Sequence, residues 1–138
     1  MRQSLKYIFL FLTGGLLYNM LELALRGWTH WTMFILGGIC FLCLGLINEV
    51  MPWDTPFLKQ VLIGACIITY LEFVTGCVVN IWLGWGIWDY SKLPGNILGQ
   101  ICPQFFLLWL LVSAAGIVLD DWLRYLWFHE EKPRYRLI

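Results

Sequence analysis

Charge is scarce in this chain: Asp, Glu, Lys and Arg make up only 13% of its 138 residues. Acidic and basic residues balance at a formal net charge of zero, and the basic ones do not cluster in a stripe, so nucleic-acid binding is not expected. Histidine is nearly absent, with only His30 and His129, too far apart to share a metal at ligand spacing. Neither a metal site nor another cofactor is expected. The G-x-x-x-x-G-K-[ST] phosphate loop is also missing. Five cysteines cannot pair completely, and all fall within apolar stretches, so no disulfide framework follows. Cys40 and Cys43 form a C-x-x-C without a second pair or a nearby histidine, and they are read as small buried hydrophobes.

What the chain has in excess is apolar surface. Its residues are 60% hydrophobic and its mean hydropathy is +0.72, far above an ordinary soluble domain. A membrane span needs about 20 apolar residues, and residues 5–25, 31–47, 57–79 and 97–119 each supply such a run. The expected fold is an all-α membrane protein with four transmembrane helices over residues 1–119. Residues 120–138 are expected to form a short interfacial helix and a basic tail suited to anionic lipid headgroups. The first run follows Arg2 and Lys6 as a secretory signal does, but it ends at Glu22 and Arg26 with no small-x-small cleavage pattern. It is read as a retained helix.

Four spans place both termini on one side, with the loop between the second and third spans. That side collects Arg2, Lys6, Lys59, Arg124, Lys132, Arg134 and Arg136, whereas the other side has only Arg26 and Lys92. The positive-inside rule therefore predicts cytoplasmic termini. It also gathers Glu22, Arg26, His30, Glu72, Asp89, Tyr90 and Asn96 toward the outer layer, with Glu49 at the cytoplasmic edge.

Ionised groups at membrane depth are costly and normally face a bundle interior or a wet cavity. Tyr18, Glu22 and Arg26 recur every four residues and so share a helix face, with Gly14 one turn earlier. An ion pair that holds the helix end is the plain reading of Glu22 and Arg26. Glu72 has no cation at helical spacing on its own span, so it must recruit a partner through the fold or take up a proton. Trp82 and Trp85 suit the interfacial aromatic belt. The block from Trp88 through Asp89, Tyr90 and Ser91 to Asn96 mixes an acid, hydroxyls and the turn-forming Pro94-Gly95, and could fold back over the polar layer. Asn96 also suits a cap for the fourth helix, and Pro103 predicts a kink near that helix's outer end.

A faint duplication runs through the chain. Leu21-Glu22 and Leu71-Glu72 occupy matching places on the outward spans, and Gly37-Gly38-Ile39-Cys40 and Gly99-Gln100-Ile101-Cys102 on the returning ones. It predicts two tandem helical hairpins related by an axis along the membrane normal.

Several blocks form a recognisable pattern. Arg26 to Met33, Gly37-Gly38 and Gly45 to Glu49, then Glu72-Phe73, Thr75-Gly76-Cys77, Val79-Asn80, Trp88 to Ser91, Leu93-Pro94, Asn96 and Gly99 to Cys102, resemble the putative ABC-transporter type IV (CmpB-like) family of small bacterial membrane proteins. That family is in turn similar to transmembrane protein 229. The resemblance implies a multi-span transporter-related protein whose ATPase, if it has one, is a separate subunit; it supplies no substrate.

Three functions fit the residues. The first is a transporter or solute-binding component, alone as a homo-oligomer or with a partner subunit, in which Glu22 and Glu72 hold protons or a cationic ligand. Arg26, His30, Trp88, Asp89, Tyr90 and Asn96 complete its outer polar site. The second is an intramembrane enzyme acting on a lipid or isoprenoid, with Glu72 and Asp89 as acid and base, although no nucleophile with an adjacent base is visible. The third is an accessory membrane subunit whose polar cluster is structural.

Overall fold

The computed structural model describes residues 2–137. Helix α1 spans Arg2–Arg26, α2 Trp31–Val50, α3 Phe57–Gly76 and α4 Pro103–Phe128, and a π-helical extension, Cys77–Trp82, continues α3. No strand occurs among the described residues. Each helix, α3 taken with its extension, is long and apolar enough to cross a membrane, since 20 residues rise about 30 Å. The expected four-helix, all-α architecture is the one observed.

Local chemistry sets the helix ends. His30 caps α2 by accepting the Thr32 N–H. Pro103 occupies the first turn of α4 after an extended Cys102, where the missing N–H costs nothing and the fixed φ suits a helix start. The expected kink at Pro103 is therefore absent: the proline begins α4, and residues 97–102 form loop instead of span. At the other end α4 continues through Asp120 to Phe128, so no separate interfacial helix forms. Asp120, Asp121 and Arg124 are buried, and partners from α2 and the tail let the helix carry these charges inside the bundle. The tail is not free for headgroups along its length either. It returns to α3, where the carbonyls of Arg136 and Leu137 accept the N–H groups of Phe57 (2.5 Å) and Leu58 (3.2 Å), two of the orphan donors at a helix start.

Helix α2 is central. It packs on α1, α3 and α4, and α3 also packs closely on α4. The α1–α2 contact is a glycine seam: a Cβ on Gly37 would lie 3.0 Å from the Gly14 carbonyl, and one on Gly38 would lie 2.8 Å from the Phe11 carbonyl. Small residues allow this approach where no hydrophobic force separates helix from lipid. Across α3 and α4, Ser113 Oγ donates to the Val61 carbonyl at 3.0 Å. The core between the helices contains Met33, Leu36, Cys40, Leu44, Ala65, Ile68, Trp109 and Ile117. Leu5, Ile8, Leu12, Leu16, Met20 and Leu23 stay exposed on α1, an apolar face suited to lipid.

The hairpins α1–α2 and α3–α4 are both present, but the proposed duplication holds unevenly. Glu22 and Glu72 lie near the same end of the bundle. Gly37 to Cys40 is helical, whereas Gly99 to Cys102 lies in the loop before α4.

Candidate functional site

At the end of the bundle bearing the 83–102 loop, a cavity of about 450 Å³ opens between α1 and α4. Glu22 and Arg26 line it from α1, Met33 from α2, Glu72 from α3, Trp88 and Tyr90 from the loop, and Phe105 and Trp109 from α4. Glu72 is only 2% exposed. Tyr90 Oη donates to its Oε2 at 3.2 Å and Trp109 Nε1 donates to its Oε1 at 3.2 Å. Both partners are neutral. The carboxylate is thus oriented and hydrogen-bonded without being offset by a cation, an arrangement that attracts a proton or a cationic donor. Tyr90 is held in turn by stacking on Phe105, with ring centroids 4.5 Å apart and planes inclined by 9°. Burial, and then the neighbouring Glu72, push its phenol well above the ordinary range, which keeps it a donor.

Glu22 and Arg26 form the ion pair expected from their spacing, Nε to Oε2 at 2.5 Å. Arg26 Nη1 also donates to the Ile87 carbonyl at 2.8 Å, and its guanidinium lies 4.2 Å from the Trp28 ring. Its Nη2 is buried without a hydrogen-bond partner among the described residues.

The loop folds back over this layer because the end of α3 holds it. In the π-helical extension, Asn80 Oδ1 accepts the Ile87 N–H at 2.6 Å, while Nδ2 donates to Gln100 Oε1 at 2.8 Å. Trp88 Nε1 donates to the Gln100 carbonyl at 3.0 Å. A side chain on Gly76 would collide with both Gln100 and Trp88. Widened helical turns of this kind recur at functional sites, and here the turn aims Asn80 at the loop.

Of the eight residues singled out from the sequence, the structure brings Glu22, Arg26, Glu72, Trp88 and Tyr90 to the cavity. His30, Asp89 and Asn96 lie apart from it. His30 is occupied as the α2 cap, beside Trp31 and Trp85. Asp89 is exposed and accepts the Ser91 N–H at 2.9 Å, a turn that holds its carboxyl below the usual range. Asn96 does not cap α4. Its amide instead donates to the carbonyls of Leu93 (2.8 Å) and Ser91 (3.2 Å), and its Oδ1 accepts the Gly99 N–H at 2.9 Å. Sequence reasoning missed Trp109 and Phe105, which look like ordinary core aromatics until the fold sets them beside Glu72 and Tyr90.

A second polar cluster occupies the end bearing the termini. Arg124, buried to 4% side-chain exposure, pairs with Asp120 at 2.8 Å, with Glu49, and with Glu130 at 3.8 Å. Lys6 joins Glu130 at 2.8 Å and Glu49 at 3.5 Å. Asp121 accepts from Asn48 and, at 2.8 Å, from Tyr135. The one trace of this cluster in the sequence is the four-residue spacing of Asp120 and Arg124. Its ion pairs tie four segments together, although Asn48 Oδ1, Asp120 Oδ1 and Arg124 Nη2 are buried without a hydrogen-bond partner among the described residues, and the arrangement reads as a structural clasp.

Four helices long and apolar enough to cross a membrane, with a cavity holding Glu22 and Glu72 at one end, define a small multi-pass membrane protein. The chain belongs to the putative ABC-transporter type IV family, whose pattern it matches over residues 32–128. That range contains Glu72 and the 83–102 loop but begins after Glu22, Arg26 and His30. No curated protein and no solved structure matches the chain.

Proposed function

We propose that this protein is the membrane-embedded solute-binding component of a transport system, with the cavity between α1 and α4 as its binding site. The observation that carries the reading is Glu72: a carboxylate 2% exposed, facing a cavity of about 450 Å³ and held only by the neutral donors Tyr90 and Trp109. A structural carboxylate at membrane depth normally has a cationic partner. Glu22 has one in Arg26, and the contrast marks Glu72 as the group reserved for a ligand or a proton. The family supports transport, and a separate ATPase subunit is the natural source of energy for a chain with no phosphate loop. The excess of Lys and Arg on the terminal side supports cytoplasmic termini in a bacterial inner membrane and an outward-facing cavity.

The enzyme alternative paired Glu72 with Asp89. Since Asp89 is turned to the surface of the loop, away from the cavity, that acid–base pair is not formed.

The test is mass spectrometry of small molecules and lipids that co-purify with the native protein and with the Glu22→Gln, Glu72→Gln double variant, both verified as folded. A species held by the native protein and lost from the variant is the expected result. Identical profiles would sink the binding reading and favour a structural subunit.

A further inference from the structure

The polar cavity does not end at Glu72. Below it lies a second, apolar cavity of about 290 Å³, walled by α1 and α4 and floored by Cys40 and Leu44 of α2. Tyr18, Leu21 and Trp109 line both spaces, so the two adjoin as one trough, narrowed where the Tyr18 and Trp109 rings face each other with centroids 6.0 Å apart. Its rim toward the lipid includes Leu17 and Leu119, which are 39% and 38% exposed. Along the apolar cavity the α4 wall, from Trp109 to Leu119, rises about 15 Å at the usual 1.5 Å per residue, and the α1 wall, from Leu21 to Gly14, about 10 Å. One leaflet's acyl region is about 15 Å deep, half of a 30 Å core. The apolar part of the trough therefore approaches the depth of one leaflet's acyl region, with the polar end toward the 83–102 loop.

The polar end also defines a head. With both carboxylates ionised, Glu22, Arg26 and Glu72 leave one negative charge at the cavity, and a single ammonium group completes it. The buried, unpartnered Nη2 of Arg26 calls for an oxygen acceptor close to that ammonium. We infer that the site takes a single-chain amphiphile drawn from the bilayer, its cationic amine head on Glu72, a neighbouring oxygen on Arg26, and its tail in the trough between α1 and α4. This rests on the solute-binding reading of the same cavity and names its substrate class.

The test uses the full-length protein in detergent micelles and native mass spectrometry with four probes: 2-(dodecylamino)ethanol, dodecylamine, ethanolamine and dodecyl phosphate. The first should bind most tightly, roughly tenfold better than dodecyl phosphate, as a charge-assisted contact predicts. Dodecylamine, which lacks the oxygen, should bind more weakly than the first probe. Glu72→Gln should remove most of the preference for amine over phosphate. Ala115→Phe, on the exposed α4 wall of the trough and remote from the carboxylates, should weaken the dodecyl amines while leaving the protein folded. Ethanolamine binding as tightly as its dodecyl derivative, through Glu72 and indifferent to Ala115→Phe, would overturn the amphiphile and leave the solute-binding reading standing. Equal binding of dodecyl phosphate would overturn the cationic head. Failure of all four probes on folded protein would overturn the inference, and the co-purification profiles then decide the solute-binding reading separately.

Discussion

Arg124 shows how a single residue reshapes the end of a helix. Its guanidinium is almost wholly buried and is shared among Asp120, Glu49 and Glu130, so removing it leaves the buried Asp120 without its cation, while Glu49 and Glu130 keep Lys6. Breaking a buried pair from one side costs about 3–5 kcal/mol, because the remaining charge is uncompensated. Arg124→Met is therefore expected to lower stability by about that amount. Adding Asp120→Asn should restore part of the loss, since the amide needs no counter-charge. Thermal unfolding of both variants in one detergent checks this, and additive losses in the double variant would refute the account. Tyr90 and Trp109 illustrate the same principle in neutral form. Their donors prepare Glu72 geometrically while leaving its charge unmatched.

At the scale of the element, two features hold the site together. The first is the glycine seam between α1 and α2, which determines how α1 stands beside α4 and hence the width of the trough. A leucine at Gly37 would press into Tyr18 and Gly14. Gly37→Leu is expected to cost at least about 1–3 kcal/mol, the usual penalty for overpacking. Crosslinking yield between cysteines introduced on the facing surfaces of α1 and α2 should fall with it, and an unchanged yield would show that the seam tolerates bulk. The second feature is the π-helical turn after α3. Asn80→Ala removes one acceptor and one donor from the loop, leaving the Ile87 N–H without its partner. An unsatisfied buried donor costs about 1–3 kcal/mol. Amide exchange across residues 83–102 should therefore quicken while that in α2 and α4 does not, and uniform protection would show that the loop is held by other contacts.

Across the whole molecule, the tail fastens the end opposite the cavity. Tyr135 packs on Trp53 and Phe57 and donates to Asp121, while the following carbonyls cap α3. Burial first, and then the hydrogen bond to Asp121, raise the Tyr135 phenol above its ordinary value. A raised folded-state pKa means that the hydroxyl's contribution is complete below the unfolded value of about 10 and declines as the pH rises past it. The stability difference between the native protein and Tyr135→Phe should thus be constant at neutral pH and shrink in alkali. A difference independent of pH to well above 10 would show that the hydroxyl is not a stabilising donor.

The chain order of apolar runs was enough to specify four membrane-crossing helices, because hydropathy and helix length are local quantities that the bilayer reads directly. The pairing of Glu22 with Arg26 was equally legible, since it follows from helical spacing. Three matters were decided only by the tertiary structure. Pro103 starts α4 instead of bending it, because the 97–102 segment is drawn into loop contacts with Asn80 and Trp88. Asp120, Asp121 and Arg124 remain in a buried helix because Asn48, Glu49 and Tyr135 arrive from elsewhere to match them. Tyr90 meets Glu72 while Asp89, its neighbour in the chain, faces water. Successive loop residues point in different directions, and no periodicity records which of them a distant helix will receive.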